Sequence, residues 1–145
     1  MRVARSRTVP APVEDVWRVI GDPHHLPRWW PLTERVESVG DDGWTSVLRS
    51  SRGKVVRADY RVAAEEPPRR RAWTMDLAGS PFERLLSEHR TEVVLEAAGP
   101  GSTAVTLSEE QRARGTARLG GFLVRRATRA RLDAALTSLE DVVAP

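Results

Sequence analysis

The chain has no cysteine, a single lysine, a single tyrosine and only two phenylalanines. Without cysteine, disulfides, thiolate nucleophiles and thiolate zinc sites are excluded. No segment approaches the roughly 20 apolar residues of a membrane-spanning helix, so no membrane insertion is expected. The N-terminal MRVARSRTVP is charged with no apolar run behind it, unlike a secretory leader, which makes a cytoplasmic location the expectation. There is no Gly-rich phosphate loop, no nucleophile elbow and no Ser/His/Asp arrangement. The histidines are His24, His25 and His89, with no HxxxH or HExxH spacing among them. The adjacent pair would point about 100° apart on a helix and cannot readily share one ion. Neither a metal nor a cofactor is therefore expected.

Lysine is scarce because arginine replaces it: the 23 basic residues are arginines except for Lys54, and the net charge is only +3. That bias is the signature of a GC-rich, bacterial genome more than of a function. Nucleic acid is not the expected partner, since the arginine-rich C-terminal segment lacks the interleaved aromatics of a single-strand binder. At 145 residues the chain is long enough for one domain, 1–145, with its own core.

What the chain has in quantity is tryptophan, and three of the five fall between Val9 and Pro31, in VPAPVEDVWRVIGDPHHLPRWWP. Val13, Val16, Trp17 and Ile20 follow the i, i+3, i+4, i+7 spacing of one helix face. Pro12 suits the first helical position, and Glu14 and Asp15 suit the positive end of the helix dipole. Gly21 is expected to end the helix in a left-handed conformation. Asp22 and Pro23 then read as N-cap and first residue of a second, very short helix. A helix this short needs a surface to cover its apolar face.

The rest of the chain supplies one. Residues 2–9 read as a strand of ambiguous register, with Val3 and Val9 sharing a face with Arg5 and Arg7. Strand-like runs follow around 33–40, 44–50, 54–64, 70–78, 82–97 and 103–110, separated by turns rich in Gly, Pro and Asp. The alternation is clearest at Val56, Ala58, Tyr60 and Val62. It recurs at Trp73, Met75 and Leu77, at His89, Thr91, Val93 and Leu95, and at Val105 and Leu107. Phe82 to Leu86 reads either as strand, as a turn of helix or as loop. From about Gly115 to Val142 the period becomes helical, with Leu132, Leu136, Leu139 and Val143 on one face and Gly120-Gly121 as a weak point. Six or seven strands joined by short turns argue for an antiparallel meander.

This order, with Ala11, Pro12, Val16 and Trp17 in the first helix and Asp22, Pro23, Leu26 and Trp29 or Trp30 in the second, resembles the START-like (SRPBCC, helix-grip) superfamily. It is most similar to the polyketide cyclase/dehydrase and lipid-transport branch. The closing RLDAALTSLEDVV is similar to that family's last helix. The resemblance implies an α+β helix-grip fold: a curved antiparallel sheet wrapped around a long C-terminal helix, two short helices after the first strand, and a ligand cavity between them. It implies an apolar or aromatic ligand, polyketide-like or lipid-like, and raises the question of cyclase/dehydrase activity. Such a domain is expected as a monomer or homodimer. The alternative is a non-catalytic protein that sets the arginines of its last helix against an acidic partner.

Within that frame, His89 and Tyr60 are the candidates for acid/base work or for orienting a ligand carbonyl, since imidazole titrates near neutrality and a buried phenol needs a partner. Trp73, Met75 and Thr91 share the inward faces. Trp29 and Trp30 fall at the rim the family implies, one of them touching ligand and the other capping the helix end. Phe122, Arg125 and Arg129 extend the last helix toward its start. The two arginines project into the cavity if the Leu132/Leu136 face continues toward the sheet, and into solvent if it does not. A buried arginine would require a carboxylate or an anionic ligand.

Overall fold

The computed structural model describes residues 1–145. A seven-stranded antiparallel sheet runs in the order β1-β7-β6-β5-β4-β3-β2. Its strands are β1 (Arg2–Val9), β2 (Thr33–Glu37), β3 (Gly43–Arg49), β4 (Val55–Glu66), β5 (Arg70–Asp76), β6 (Leu86–Gly99) and β7 (Ser102–Ala113). Helices α1 (Val13–Ile20) and α2 (Leu26–Trp29) lie between β1 and β2, joined by a 3-10 turn at Pro23–His25, and α3 (Gly121–Val143) closes the chain. All strands from β2 to β7 are sequential neighbours, the meander that the short turns predict. The long connection through α1 and α2 carries the chain from one edge of the sheet to the other.

The register of β1 is decided by α3. Val3 and Val9 are buried, and the same face sends Arg5 to Asp133 at 2.8 Å and Arg7 to Glu140 at 2.9 Å on the helix. Two arginines on an inward-facing strand surface are tolerated because the helix presents carboxylates to them while their heads stay partly in water. The buried face of α3 is Thr128, Leu132, Ala135, Leu136 and Leu139. These pack with Val93, Leu95, Val105 and Leu107 from the sheet and with Val16, Ile20 and Leu26 from the short helices. Burying each such aliphatic side chain is worth about 1.5–3 kcal/mol.

The boundaries differ from the sequence reading in four places. Pro12 is the N-cap, with α1 starting at Val13. Gly21 ends α1 at φ −77°, not in the left-handed region. What a side chain there would meet is Trp17, whose carbonyl oxygen lies 2.9 Å from where a Cβ would sit. Residues 79–85 form turns, not strand, held by Ser80 N–H to Leu77 O and by Leu85 and Leu86 N–H to Phe82 O. The last helical region is also not one helix: Gly115–Gly120 is a separate 3-10 turn, and α3 begins at the Gly120-Gly121 weak point. Asp22 caps the 3-10 turn as its sequence position predicts, accepting from His24 N–H at 3.0 Å.

Candidate functional site

The concave face of the sheet and α3 do not meet along their whole length. Beside Arg131, midway along α3, they flank a cavity of about 350 Å³. That falls in the range of about 300–1,000 Å³ typical of small-molecule sites. Alternation along β4 and β5 brings Val56 and Tyr60, and Trp73 and Met75, to its wall, because every second residue points to the same side.

One side is aromatic and apolar: Trp30, Tyr60, Trp73, Met75 and Phe82. The rings brace one another. Trp44 stacks on Tyr60 with centroids 5.5 Å apart and meets Trp73 edge-on at 5.8 Å, and Trp73 meets Trp30 edge-on at 5.9 Å. Such pairs contribute about 0.5–1.5 kcal/mol beyond their burial and hold each ring in one orientation. Arg71, buried beside Trp44 with its guanidinium 5.9 Å from the ring centroid, is ion-paired with Glu65 at 2.7 Å.

The rest of the wall includes a polar group that begins beside Trp73, whose cross-strand neighbour is Thr91: His89 and Thr91 from β6, Glu109 and Gln111 from β7, and Arg131 from α3. Glu109 is 1 % exposed. Its Oε2 accepts from Arg131 and, at 3.0 Å, from Gln111 Nε2, which also reaches Thr128 Oγ1 at 3.2 Å. His89 Nε2 lies 3.0 Å from Glu109 Oε1, at ion-pair distance but without hydrogen-bond alignment. Glu109 Oε1, His89 Nδ1 and Thr91 Oγ1 are consequently buried with no hydrogen-bond partner in the protein. Burial alone would raise the Glu109 carboxyl, but His89 and Arg131 outweigh it and hold its pKa below the usual carboxylate range. The Tyr60 phenol is pushed well above the ordinary tyrosine value, first by burial and then by the Glu109 charge. It therefore stays protonated, an O–H donor at any accessible pH.

Of the residues singled out in the sequence, Trp30, Tyr60, Trp73, Met75, His89 and Thr91 come together around this one cavity. The tryptophan pair divides as its spacing allows: Trp30 lines the cavity, while Trp29 is 1 % exposed in the core behind it. Phe122, Arg125 and Arg129 are not brought to the cavity. Phe122 is 77 % exposed, Arg129 is exposed, and Arg125 donates to the Arg2 carbonyl. The arginine that does enter is Arg131, which follows Thr128 by three and precedes Ala135 by four on the buried face of α3. Glu109 and Gln111 were legible by the same means, since they continue the alternation of Val105 and Leu107. No three His, Asp or Glu side chains converge to hold a metal ion.

A curved antiparallel sheet gripping one long helix over a partly aromatic cavity is the arrangement of a START-like helix-grip domain. The chain belongs to the polyketide cyclase / dehydrase and lipid transport family, whose model matches residues 1–144. No curated protein matches it in sequence. Among solved structures it is similar to a conserved protein from Geobacillus kaustophilus, with 15 % identity and TM-score 0.83 over 99 % of this chain and 95 % of that one. It is likewise similar to a START superfamily protein from Mycobacterium smegmatis, with 14 % identity and TM-score 0.81 over 98 % and 96 % of the two chains. The Zhui aromatase/cyclase from Streptomyces sp. R1128 is 20 % identical with TM-score 0.74, over 99 % and 93 %. At these identities the likeness is one of fold. No helix is long and apolar enough to cross a membrane.

Proposed function

We propose that the cavity binds a small, largely aromatic molecule that carries hydroxyl or carbonyl groups along one edge, as a folded polyketide does. The observation that carries this reading is the division of the lining. Trp30, Trp73 and Met75 offer flat apolar wall, and three buried polar atoms without protein partners line the same cavity. An unpaired buried polar atom costs about 1–3 kcal/mol, and a ligand hydroxyl that donates to Glu109 Oε1 would recover part of it. A fatty acid fits this reading less well, because its carboxylate would face the charged Glu109.

A second reading, acid/base turnover, is favoured by the contact between His89 and Glu109. A carboxylate beside an imidazole stabilises the imidazolium formed when the ring takes up a proton. In a poly-β-keto ligand the imidazole would remove a proton from carbon between two carbonyls. The C–H electron pair would move into the enolate, and the Tyr60 O–H would donate a hydrogen bond to its oxygen.

Calorimetric titration separates these readings. A hydroxyanthraquinone should bind saturably and more tightly than anthracene, which offers the same wall contacts without the polar edge. Equal affinities for the two would remove the polar side from the account. His89→Ala should retain binding under both readings. It should abolish conversion of a poly-β-keto substrate only if turnover occurs.

A further inference from the structure

The N-terminal end of α3 leaves a second feature that the cavity does not use. Leu119, Phe122 and Leu123 are 88 %, 77 % and 68 % exposed, side by side on the 3-10 turn and the first turn of the helix. The same turn and helix start, through Ala117, Arg118, Gly121 and Val124, line a groove of about 850 Å³ together with Leu85 and Leu86. Leu86 and Gln111 line both this groove and the cavity, so they form the wall between them. Isolated exposed leucines are ordinary, but a contiguous apolar patch on a polar surface marks an interaction site.

The segment that carries these side chains is charged with one sign. From Gln111 to Leu132 the sequence contains no Asp or Glu, while Arg112, Arg114, Arg118, Arg125, Arg126 and Arg129 fall within it. Arg112 alone of these has a carboxylate, Glu88 at 3.9 Å. Arg114 and Arg118 reach only backbone carbonyls. An apolar tip within a cationic rim is complementary to the boundary between acyl chains and anionic headgroups, where both parts are satisfied at once. A second copy of this chain is a poorer fit, since a two-fold contact would bring the two arginine rims face to face.

We propose that this end of the molecule docks peripherally on an anionic phospholipid surface. Leu119, Phe122 and Leu123 enter the headgroup boundary, and the surrounding arginines meet lipid phosphates. This is surface docking, distinct from spanning, and it holds whatever the cavity binds. It would set the Leu86 and Gln111 wall between the bilayer and the cavity.

Co-sedimentation with phosphatidylcholine vesicles, with and without phosphatidylglycerol, tests the proposal. Binding should require phosphatidylglycerol and weaken as salt is raised. Phe122→Ser should weaken it by roughly tenfold through lost apolar burial. Arg118→Ser and Arg126→Ser should each weaken it by roughly fivefold. These side chains are exposed, so unchanged thermal melts will show that the variants fold. Absence of phosphatidylglycerol-dependent binding, or binding that Phe122→Ser leaves unchanged, would overturn the proposal. So would a dimer of the unmodified protein that Phe122→Ser dissolves, since the patch would then belong to a second copy.

Discussion

Glu109 is the residue on which the polar side of the cavity depends. It is nearly fully buried, yet it stays ionised because His89, Arg131 and Gln111 surround it. Glu109→Gln keeps the shape but leaves Arg131 without its counter-charge. Arg131 is 32 % exposed and so retains some hydration. Stability to urea should therefore fall by about 2 kcal/mol, short of the full cost of breaking a buried pair. The pH dependence follows from the depressed pKa. The folded form holds the proton less tightly than the unfolded chain, so the contribution is complete above the unfolded value of 4.5 and is lost as pH falls below it through the folded value. Between those two values the unmodified protein should lose stability more steeply than Glu109→Gln. Parallel acid denaturation curves for the two proteins would contradict this assignment.

At this scale the sequence was only partly legible. His89, Tyr60, Thr91 and Trp73 are visible because strand alternation assigns a face without any knowledge of partners. Arg131 is not, because the face of α3 near its start depends on where the helix leaves the sheet. Extending the Leu132/Leu136 row backwards leads to Arg129 and Arg125. Both stay outside the cavity, and the side chain that reaches it is Arg131, three residues after Thr128.

Among the elements, the β3–β4 pair holds Tyr60 at the cavity wall. Gly43 opposes Arg61 and Trp44 opposes Tyr60 across it. The backbones approach so closely at Gly43 that an added Cβ would lie 2.1 Å from the Tyr60 carbonyl oxygen. The requirement is space, not a special φ. Gly43→Ala should push β3 from β4 and disturb the Trp44–Tyr60 stack. A loss of roughly 1–3 kcal/mol is expected, as for other overpacking changes, with an altered near-ultraviolet circular dichroism spectrum. An unchanged spectrum and melting curve would show that the strands can separate without cost. In the sequence, Gly40 to Gly43 reads as turn chemistry, and the turn is there. The second duty of Gly43 cannot be read locally, because the clashing atom comes from a strand many residues away. The long C-terminal helix shows the same limit. Its periodicity marks the packed half from Thr128 onward, whereas no residue of the 3-10 turn before Gly121 is buried.

For the whole molecule, the order of elements and the hydrophobic phases carry the fold almost completely. Short turns force neighbouring strands to pair, and one amphipathic helix is the only element able to cover their concave face. What they do not encode is how much of that face stays uncovered. The lining of the cavity joins residues from β3 to β7 with Trp30 and Arg131. This is a property of the assembled fold, which is why a family with one architecture can hold many ligands.

The central claim is that this uncovered space takes an aromatic ligand between the tryptophan wall and the Glu109 side. The most direct measurement is a titration of the unmodified protein and of Met75→Trp with a hydroxyanthraquinone, followed by calorimetry. Met75 is half-buried on the cavity wall, so the larger ring should occupy the ligand's space while the fold, checked by thermal melting, is retained. The account predicts saturable binding to the unmodified protein and affinity at least roughly tenfold weaker in the variant, the loss of about one aromatic contact's worth of burial. No saturable binding to the unmodified protein, or equal affinity in a folded Met75→Trp, would contradict it.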